Sequence, residues 1–252
     1  EAAPFGTLSQ SYGRLTSLAL DPIEKKPIAR WRPGTTVLSL GSYGCTMRCP
    51  FCQNDGIAQA GASEVPWIPA TPAALVEQAL DLRKRRCIGL AYTYNEPLAG
   101  FEFVRDTAHA ARCAGLANVL VSNGQIHAGP LSQVAPLMDA ANIDLKCFTE
   151  EGYRRLGGSL AATQRTIEAL LATGTCHVEV TTLVVPGLND SPEEIDALAA
   201  WLAALSPDIP FHLTRFFPHF RMADAAPTPL ATMRSLADVA RAHLHDVLLG
   251  NI

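Results

Sequence analysis

Residues 36–52 read Thr-Val-Leu-Ser-Leu-Gly-Ser-Tyr-Gly-Cys-Thr-Met-Arg-Cys-Pro-Phe-Cys, and this stretch joins an apolar run to three closely spaced cysteines. The run Thr36–Leu40 has the composition of a buried strand, and the Gly-Ser-Tyr-Gly turn ends it. Cys45, Cys49 and Cys52 follow with the spacing C-x3-C-x2-C. Thiolates bind iron–sulfur clusters, and three of them leave one iron of a four-iron cluster without a protein ligand. The spacing therefore predicts a metal centre with an open coordination site.

Two other uses of three cysteines fit the sequence less well. A structural zinc site takes four Cys or His ligands, but the next cysteine after Cys52 is Cys87, and no His lies nearby. Disulfides are disfavoured because the chain has seven cysteines, an odd number, and shows no signal peptide. The aromatic Phe51 before the third cysteine and the preceding strand further support a cluster.

The composition limits the class of protein. A chain of 252 residues suits one large domain or two small ones, and 48% hydrophobic with 17% charged residues disfavours disorder. The net charge of −4 gives no electrostatic basis for binding nucleic acid. No apolar stretch approaches the roughly 18 residues of a transmembrane helix, so no membrane contact is expected. Free cysteines without a targeting segment predict a cytoplasmic protein.

Apolar runs alternate with helical patterns from residue 35 onward. The predicted strands are Thr36–Leu40, Ile88–Tyr94, Asn118–Val121, Asn142–Leu145, His177–Val185 and Pro210–Phe217, with a short seventh at Asp246–Leu249. The predicted helices are Pro72–Arg86, Gly100–Ala114, Pro130–Ala140, Ala162–Thr173, Pro192–Ala204 and Pro229–His243. Repeated strand–helix units require a parallel sheet, and six units are too few for a closed eight-stranded barrel. The sequence predicts an α/β fold, an open partial (β/α)6 barrel at 35–252 with residues 1–34 as an N-terminal extension packing on it.

Polar side chains lie where several predicted strands end. In parallel α/β sheets, active sites lie at the carboxyl ends of the strands. Strand two ends in Tyr94-Asn95-Glu96, although polar residues before a proline often simply close a strand. Strand three ends in Ser122-Asn123, which also fits an ordinary Asn-Gly turn. Strand four ends in Asp144-Leu-Lys146, whose two charges share one face. A charged pair inside a barrel is costly unless it is partnered or hydrated, which favours a functional site.

Strands five and six contribute further candidates. Thr181 and Val185 share one face of strand five, and strand six carries Arg215. His212 and His219 are interpreted first as structural residues that form hydrogen bonds within the protein, and not as ligands of a substrate or SAM. A buried inert thiol is likewise the default interpretation of Cys147, although it follows Lys146 at a strand end.

The string Cys-x3-Cys-x-aromatic-Cys resembles the signature of the radical S-adenosylmethionine (radical SAM) enzymes. The resemblance implies that Cys45, Cys49 and Cys52 hold a [4Fe-4S] cluster whose fourth iron binds SAM. In that family the reduced cluster cleaves SAM to methionine and a 5′-deoxyadenosyl radical, which abstracts a hydrogen atom. The resemblance also implies the partial, TIM-like (β/α)6 barrel that the strand–helix pattern predicts.

The resemblance extends to the other strand ends. A Gly-Gly-Glu-like turn binds the SAM amino group in the family, and Tyr94-Asn95-Glu96 stands in its place here. Asp-Leu-Lys contacts SAM in glycyl-radical activating enzymes, which implies that Lys146 holds the SAM carboxylate and acts with the cysteines as a catalytic residue. The residues expected to bind the cofactor are Phe51, Tyr94, Asn95, Glu96, Ser122, Asn123, Asp144, Lys146, Thr181, Val185 and Arg215.

The string Asp21-Pro-Ile-Glu-Lys-Lys-Pro27, together with Tyr-Asn-Glu-Pro, resembles the radical SAM member of the AmmeMemoRadiSam system, a group similar to pyruvate formate-lyase activating enzymes. This implies a protein substrate that acquires a radical, and an electron donor such as flavodoxin or ferredoxin. Two alternatives stay open. One is a radical SAM enzyme that acts on a small molecule, and the other is an iron–sulfur electron-transfer or scaffold protein that does not cleave SAM.

Overall fold

The computed structural model describes residues 8–252, and ten strands lie within that range. They are β1 (Arg14–Leu15), β2 (Ser17–Pro22), β3 (Thr36–Gly41), β4 (Ile68–Pro69), β5 (Cys87–Tyr92), β6 (Ala117–Ser122), β7 (Ala140–Asp144), β8 (His177–Val184), β9 (Phe211–Arg215) and β10 (Val247–Gly250). β1 and β4 pair with each other in a small antiparallel ribbon. The remaining strands form one sheet.

Eight α-helices connect or flank these strands. They are α1 (Asp55–Ala58), α2 (Pro72–Asp81), α3 (Phe101–Cys113), α4 (Ala128–Val134), α5 (Glu150–Leu156), α6 (Leu160–Ala172), α7 (Pro192–Leu205) and α8 (Leu230–Arg241). Hydroxyl side chains cap α2 and α7 among these helices: the side chain of Thr71 accepts from Ala74 N at the start of α2, and that of Ser191 accepts from Glu194 N at the start of α7. The carboxylate of Glu194 turns away and accepts from Phe148 N at 2.6 Å, which ties α7 to the loop after β7.

The main sheet has the order β10-β9-β8-β7-β6-β5-β3-β2. Every neighbouring pair is parallel except β2 and β3. From β3 to β10 each strand lies beside the one before it in the sheet, as in a (β/α) barrel, and the sheet stays open with β2 and β10 at its edges. The predicted α/β fold with an open parallel barrel is thus confirmed.

Three expectations about elements need correction. Ala140 does not end a helix but begins β7, because α4 stops at Val134 and a short 3-10 turn, Ala135–Leu137, follows it. The helix α5 has no counterpart among the predicted elements. Residues 17–22 form the antiparallel edge strand β2, where the sequence predicts no strand but only an N-terminal extension.

The division of the chain at residue 34 stays a prediction, and residues 1–7 of that segment lie outside the described residues. Between residues 8 and 252, none of the helices is both long and apolar enough to cross a membrane. The cytoplasmic location also stays a prediction.

Candidate active site

One cavity of about 610 Å³ lies at the carboxyl ends of the parallel strands. It is lined by most of the site residues that the sequence predicts: Cys45, Cys49, Phe51, Cys52, Tyr94, Asn95, Glu96, Ser122, Asn123, Asp144, Lys146 and Thr181. The loop after β3 brings the cysteines, and the ends of β5, β6 and β7 bring the polar groups. A cavity of this size is typical of a small-molecule or cofactor site.

Val185 and Arg215 do not line this cavity. Val185 is fully buried just beyond β8, where its backbone N–H donates to Asn189 Oδ1 at 2.7 Å. Arg215 donates through Nε to Thr228 O at 2.7 Å and stacks on Phe217. Both residues instead fasten the ends of β8 and β9 to the loops that follow.

The three cysteines line the cavity, and Cys45 lies beside Asn123. The Cys45 sulfur accepts from Met47 N at 3.3 Å and lies 3.6 Å from Asn123 Nδ2. Burial raises the pKa of the Cys45 thiol to about 12 and raises those of Cys49 and Cys52 as well. Without metal these thiols are therefore protonated at neutral pH, and metal binding has to release their protons.

The donor set fits a cluster better than a single ion. Within residues 8–252, no three His, Cys, Asp or Glu side chains converge on one point as a mononuclear metal ion would require. In a [4Fe-4S] cluster each thiolate binds a different iron, so the thiols are farther apart than the ligands of a single metal ion. Three thiols lining one cavity satisfy that requirement, and these three residues could hold such a cluster.

Tyr94 stands where the family has a glycine, and its backbone has the conformation that favours glycine. Its φ is +73°, in the left-handed region that glycine adopts at low cost. The neighbouring Gly41 makes room for it, since a Cβ at Gly41 would lie 2.8 Å from the Tyr94 Cβ and 2.9 Å from Thr93 O. Asn54 Nδ2 donates to Tyr94 O at 2.6 Å and joins this turn to the cysteine loop.

Asn95 and Glu96 hold the site together through protein contacts. Asn95 accepts from Ser42 N at 2.9 Å and donates to Gly44 O at 3.0 Å, so its amide orients the turn that precedes Cys45. Glu96 is fully buried, and its carboxylate accepts from Leu98 N at 2.9 Å. The sequence identifies both positions but does not reveal these contacts.

The β6 end is bound to the Glu96 carboxylate. Ser122 Oγ donates to Oε1 at 2.7 Å, and Asn123 N donates to Oε2 at 2.8 Å. Burial raises the pKa of Glu96 to about 7, although these hydrogen bonds favour its charged form. The Asn123 side chain is left to face Thr46 Oγ1 at 3.3 Å and the Cys45 sulfur.

Lys146 and Asp144 form an ion pair in the cavity, with Nζ and Oδ2 2.8 Å apart. Burial opposes the charge on Lys146, but the Asp144 carboxylate outweighs that effect and raises the pKa of the lysine. The pair is neutral as a whole and presents one ammonium and one carboxylate to the cavity. Such a pair can bind both the carboxylate and the amino group of an amino acid.

The histidines and Cys147 have structural partners. His212 Nε2 and Glu179 Oε2 are 2.5 Å apart, and His219 Nε2 and Asp55 Oδ1 are 2.9 Å apart at the edge of the cysteine loop. Cys147 is fully buried and does not line the cavity. Several lining residues were not predicted from the sequence, and the most unexpected are Lys25 and Pro27 from the N-terminal segment. The sequence motif that contains them indicates a family resemblance but no place in the site.

This fold and this site define an enzyme of the radical SAM class. The family model described as the radical SAM superfamily matches residues 40–202, and the chain belongs to that superfamily. Membership implies a [4Fe-4S] cluster and SAM as its cofactors.

Among sequence relatives, an uncharacterised protein of Methanocaldococcus jannaschii is 36% identical over 243 residues, which cover 96% of this chain and 71% of that protein. The pyruvate formate-lyase 1-activating enzyme of Escherichia coli K12 is 28% identical over 163 residues, which cover 62% of this chain and 63% of the enzyme. The chain is thus related to activating enzymes over about three fifths of its length.

Solved structures share the fold at low sequence identity. The chain matches QueE from Escherichia coli with a TM-score of 0.59 and 12% identity, over 95% of this chain and 92% of QueE. It matches Streptococcus suis SuiB bound to SAM with a TM-score of 0.63 and 14% identity, over 85% of this chain and 51% of SuiB. These matches support the partial barrel and nothing finer.

Proposed function

We propose that this enzyme generates a 5′-deoxyadenosyl radical and uses it to abstract a hydrogen atom from a protein substrate. The observation that carries this proposal is that the three cysteines and the Asp144–Lys146 pair line one cavity. When bound, the cluster and SAM together supply a one-electron cleavage that yields methionine and that radical. Only a chain that places both cofactors side by side can perform this reaction.

Each group of residues has a role in this proposal. Cys45, Cys49 and Cys52 hold the cluster. Lys146 binds the SAM carboxylate and Asp144 its amino group. Glu96 and Asn95 act as positioning residues, because their side chains hold the backbone around the cysteine loop and the β6 end. The other expected cofactor contacts, Phe51, Tyr94, Ser122, Asn123 and Thr181, line the rest of the cavity.

The proposal of a protein substrate rests on the relationship to the activating enzyme of Escherichia coli, whose name states that it acts on pyruvate formate-lyase. An electron donor such as flavodoxin or ferredoxin would reduce the cluster. A small-molecule substrate is the second candidate, and it is favoured by the extent of the cavity, whose lining runs from the cysteines to Lys25 and Pro27 of the N-terminal segment.

The first test is an anaerobic assay of the protein reconstituted with iron and sulfide. We expect formation of 5′-deoxyadenosine after reduction and addition of SAM, and its loss in Cys49→Ala. A stable cluster that yields no 5′-deoxyadenosine would contradict the proposal and favour an electron-transfer or scaffold protein. Incubation with a candidate protein partner, followed by electron paramagnetic resonance, would then separate a protein substrate from a small one.

A further inference from the structure

A segment of the N-terminal region closes the end of the barrel opposite the cysteines. We call residues 21–30 the floor segment. Its Ile23 and Ile28 are fully buried and pack in one cluster with Val37 and Ala140. Since Val37 and Ala140 lie at the beginnings of β3 and β7, the floor segment runs across the amino ends of the strands.

Polar contacts continue along this path to the far edge of the sheet. Pro27 O accepts from Asn142 Nδ2 on β7 at 2.7 Å. The backbone N–H of Arg30 donates to the buried Glu179 on β8 at 2.8 Å, and its side chain pairs with Asp246 just before β10. The floor segment thus spans the barrel from β2 to β10 and is fixed at both ends.

The same cavity that the cysteines line is also lined by Lys25 and Pro27 of the floor segment. The chain contains only four lysines: Lys25, Lys26, Lys84 and Lys146. Lys25 and Lys146 line the cavity, and the Lys26 ammonium lies 4.6 Å from the ring centroid of Tyr94, another lining residue. Three of the four lysines are therefore concentrated around one cavity, although arginine supplies most other cations of the chain.

Two ammonium groups of the floor segment meet at one carboxylate. Asp21 Oδ2 accepts from Lys26 Nζ at 2.7 Å and from Tyr94 Oη at 2.5 Å, and Oδ1 accepts from Lys25 Nζ at 2.9 Å. Burial opposes ionisation, but these hydrogen bonds hold the pKa of Asp21 well below its usual range. The Asp21 carboxylate thus accepts from two ammonium groups, while the other carboxylate of the floor segment, Glu24, accepts from the backbone N–H of Gly34.

Lys25 is the ammonium that is free to move. The Lys26 side chain is only 2% exposed, whereas that of Lys25 is 62% exposed. An exposed ion pair is weak, so Lys25 loses little when it turns from Asp21 toward a ligand in the cavity. Asp21 keeps its buried partner Lys26 when this happens.

We propose that Lys25 binds an anionic group of the substrate, a carboxylate or a phosphate, at the end of the cavity opposite the cluster. This inference rests on the proposed function, because that proposal assigns the end of the cavity beside the cysteines to the cofactors. It places the substrate between the floor segment and the Asp144–Lys146 pair. Lys25 holds the acidic group, and the carbon to be attacked then faces the cofactor end.

The small number of lysines makes this proposal directly testable. We would acetylate the full chain, reconstituted with its cluster and SAM, and follow Lys25 and Lys84 by peptide mass spectrometry. The probes are inorganic phosphate, succinate and the peptide acetyl-Gly-Asp-Gly-amide. We expect at least one of them to slow acetylation of Lys25 while leaving Lys84, which lies on an exposed 3-10 turn (Leu82–Arg85), unchanged.

Variants give a second readout in the same holoprotein. Lys25→Gln should weaken binding of the protecting anion about tenfold in calorimetry, because a charge-assisted hydrogen bond is lost. Lys25→Arg keeps the charge and should retain most of the affinity, and Lys84→Gln should change nothing. Protection by phosphate or succinate alone would indicate a free small acid, whereas protection by the peptide would indicate an acidic side chain of a protein.

Three results would overturn the inference. One is equal acetylation of Lys25 with and without every probe, and another is unchanged anion binding in Lys25→Gln. The third is full protection of Lys25 by SAM alone, which would assign the lysine to the cofactor. If 5′-deoxyadenosine still forms in any of these cases, the proposed function stands and only the anion site fails.

Discussion

At the scale of single residues, Lys146 is fixed by both its backbone and its side chain. Its N–H lies 3.1 Å from Tyr153 Oη, and its carbonyl accepts from Asn189 Nδ2 at 2.7 Å. Its ammonium meets Asp144 at 2.8 Å. A lysine held in this way presents its charge in one place, as a group that binds a carboxylate must.

Lys146→Met is expected to weaken SAM binding about tenfold to a hundredfold, because it removes a charge-assisted hydrogen bond and leaves Asp144 alone in the cavity. The measurement is equilibrium dialysis of SAM against the reconstituted protein. Iron content should stay that of the wild type, and Lys84→Met is the matched control. Unchanged SAM affinity would remove Lys146 from the cofactor site and favour the scaffold interpretation.

At Thr181 we expect a substitution to stabilise the cofactor-free protein. Its Oγ1 is buried at the cavity and has no hydrogen-bond partner among the described residues. Thr181→Val keeps the shape and removes this unsatisfied hydroxyl, so the cofactor-free protein should become about 1 kcal/mol more stable in urea unfolding. SAM should bind less tightly to the same variant. A variant that is less stable and binds SAM normally would show that the hydroxyl has a structural partner.

Tyr94 shows how far residue-level prediction can reach. The sequence predicts a cofactor-binding turn at this position. The Gly-Gly pattern of the family is absent, however, and nothing in the local sequence indicates that an aromatic residue here has a φ of +73°. The space at Gly41, on another strand, is what accommodates it. Local sequence therefore locates the turn, and a tertiary contact decides its conformation.

At the scale of elements, the short helix α5 supports the cysteine loop. Leu156 O at its end accepts from Arg48 N at 2.8 Å, between the first two cysteines. Thr149 caps its start by accepting from Gly152 N at 3.1 Å. A helix of seven residues has too weak a period for sequence to reveal it, which is why it was missed although its cap and its C-terminal Gly157 are present.

Thr149→Ala should therefore lower the free energy of unfolding by about 1 kcal/mol, the usual cost of a lost N-cap. Cluster reconstitution should become slower, because the loop that carries Cys45 and Cys49 loses its support. Thermal unfolding and the rate of iron uptake measure the two effects. Thr71→Ala at the cap of α2 is the control, and the same slowing of iron uptake in that variant would contradict a specific role of α5.

The floor segment depends on one buried carboxylate. Burial alone would raise the pKa of Glu179, but hydrogen bonds from His177, His212 and the backbone N–H groups of Ala29 and Arg30 lower it to about 2, from an ordinary value of 4.5. Because the folded-state pKa is the lower one, this stabilisation is present above pH 4.5 and is lost as the pH falls toward 2.

We expect this carboxylate to supply about 3 kcal/mol of the acid dependence of the free energy of unfolding. Glu179→Gln should be less stable than the wild type at pH 7, and the difference should shrink as the pH falls below 4.5. Urea unfolding across this pH range gives the comparison. A difference that does not change with pH would show that packing, and not the charge, anchors the floor segment.

At the scale of the whole molecule, the cofactors should stabilise the fold that they complete. A ligand at about 100 times its Kd adds about 2.7 kcal/mol to the free energy of unfolding, so SAM should raise the melting temperature of the reconstituted protein. Cys49→Ala should show a much smaller rise. Calorimetric scans with and without SAM test this, and an equal rise in both proteins would mean that SAM binds independently of the cluster.

Much of the architecture was predictable because the strands are apolar runs and several helices, α2 and α7 among them, begin with capping residues. The cysteine spacing and the polar strand ends likewise predicted most residues of the cavity. The path of residues 21–30 was not predictable, since it has no periodicity and is determined by distant partners such as Asn142 and Glu179. Long-range polar contacts of this kind leave no local pattern in a sequence.

The inward charge of Asp21 has a consequence for self-association. β2 is an edge strand, and its Ser-Leu-Ala-Leu-Asp-Pro sequence would be an attractive template for pairing with another chain if the aspartate were apolar. Buried charges and prolines are how natural edge strands avoid such pairing. The carboxylate that organises the floor of the cavity thus also protects an open barrel from growing into a larger sheet with its own copies.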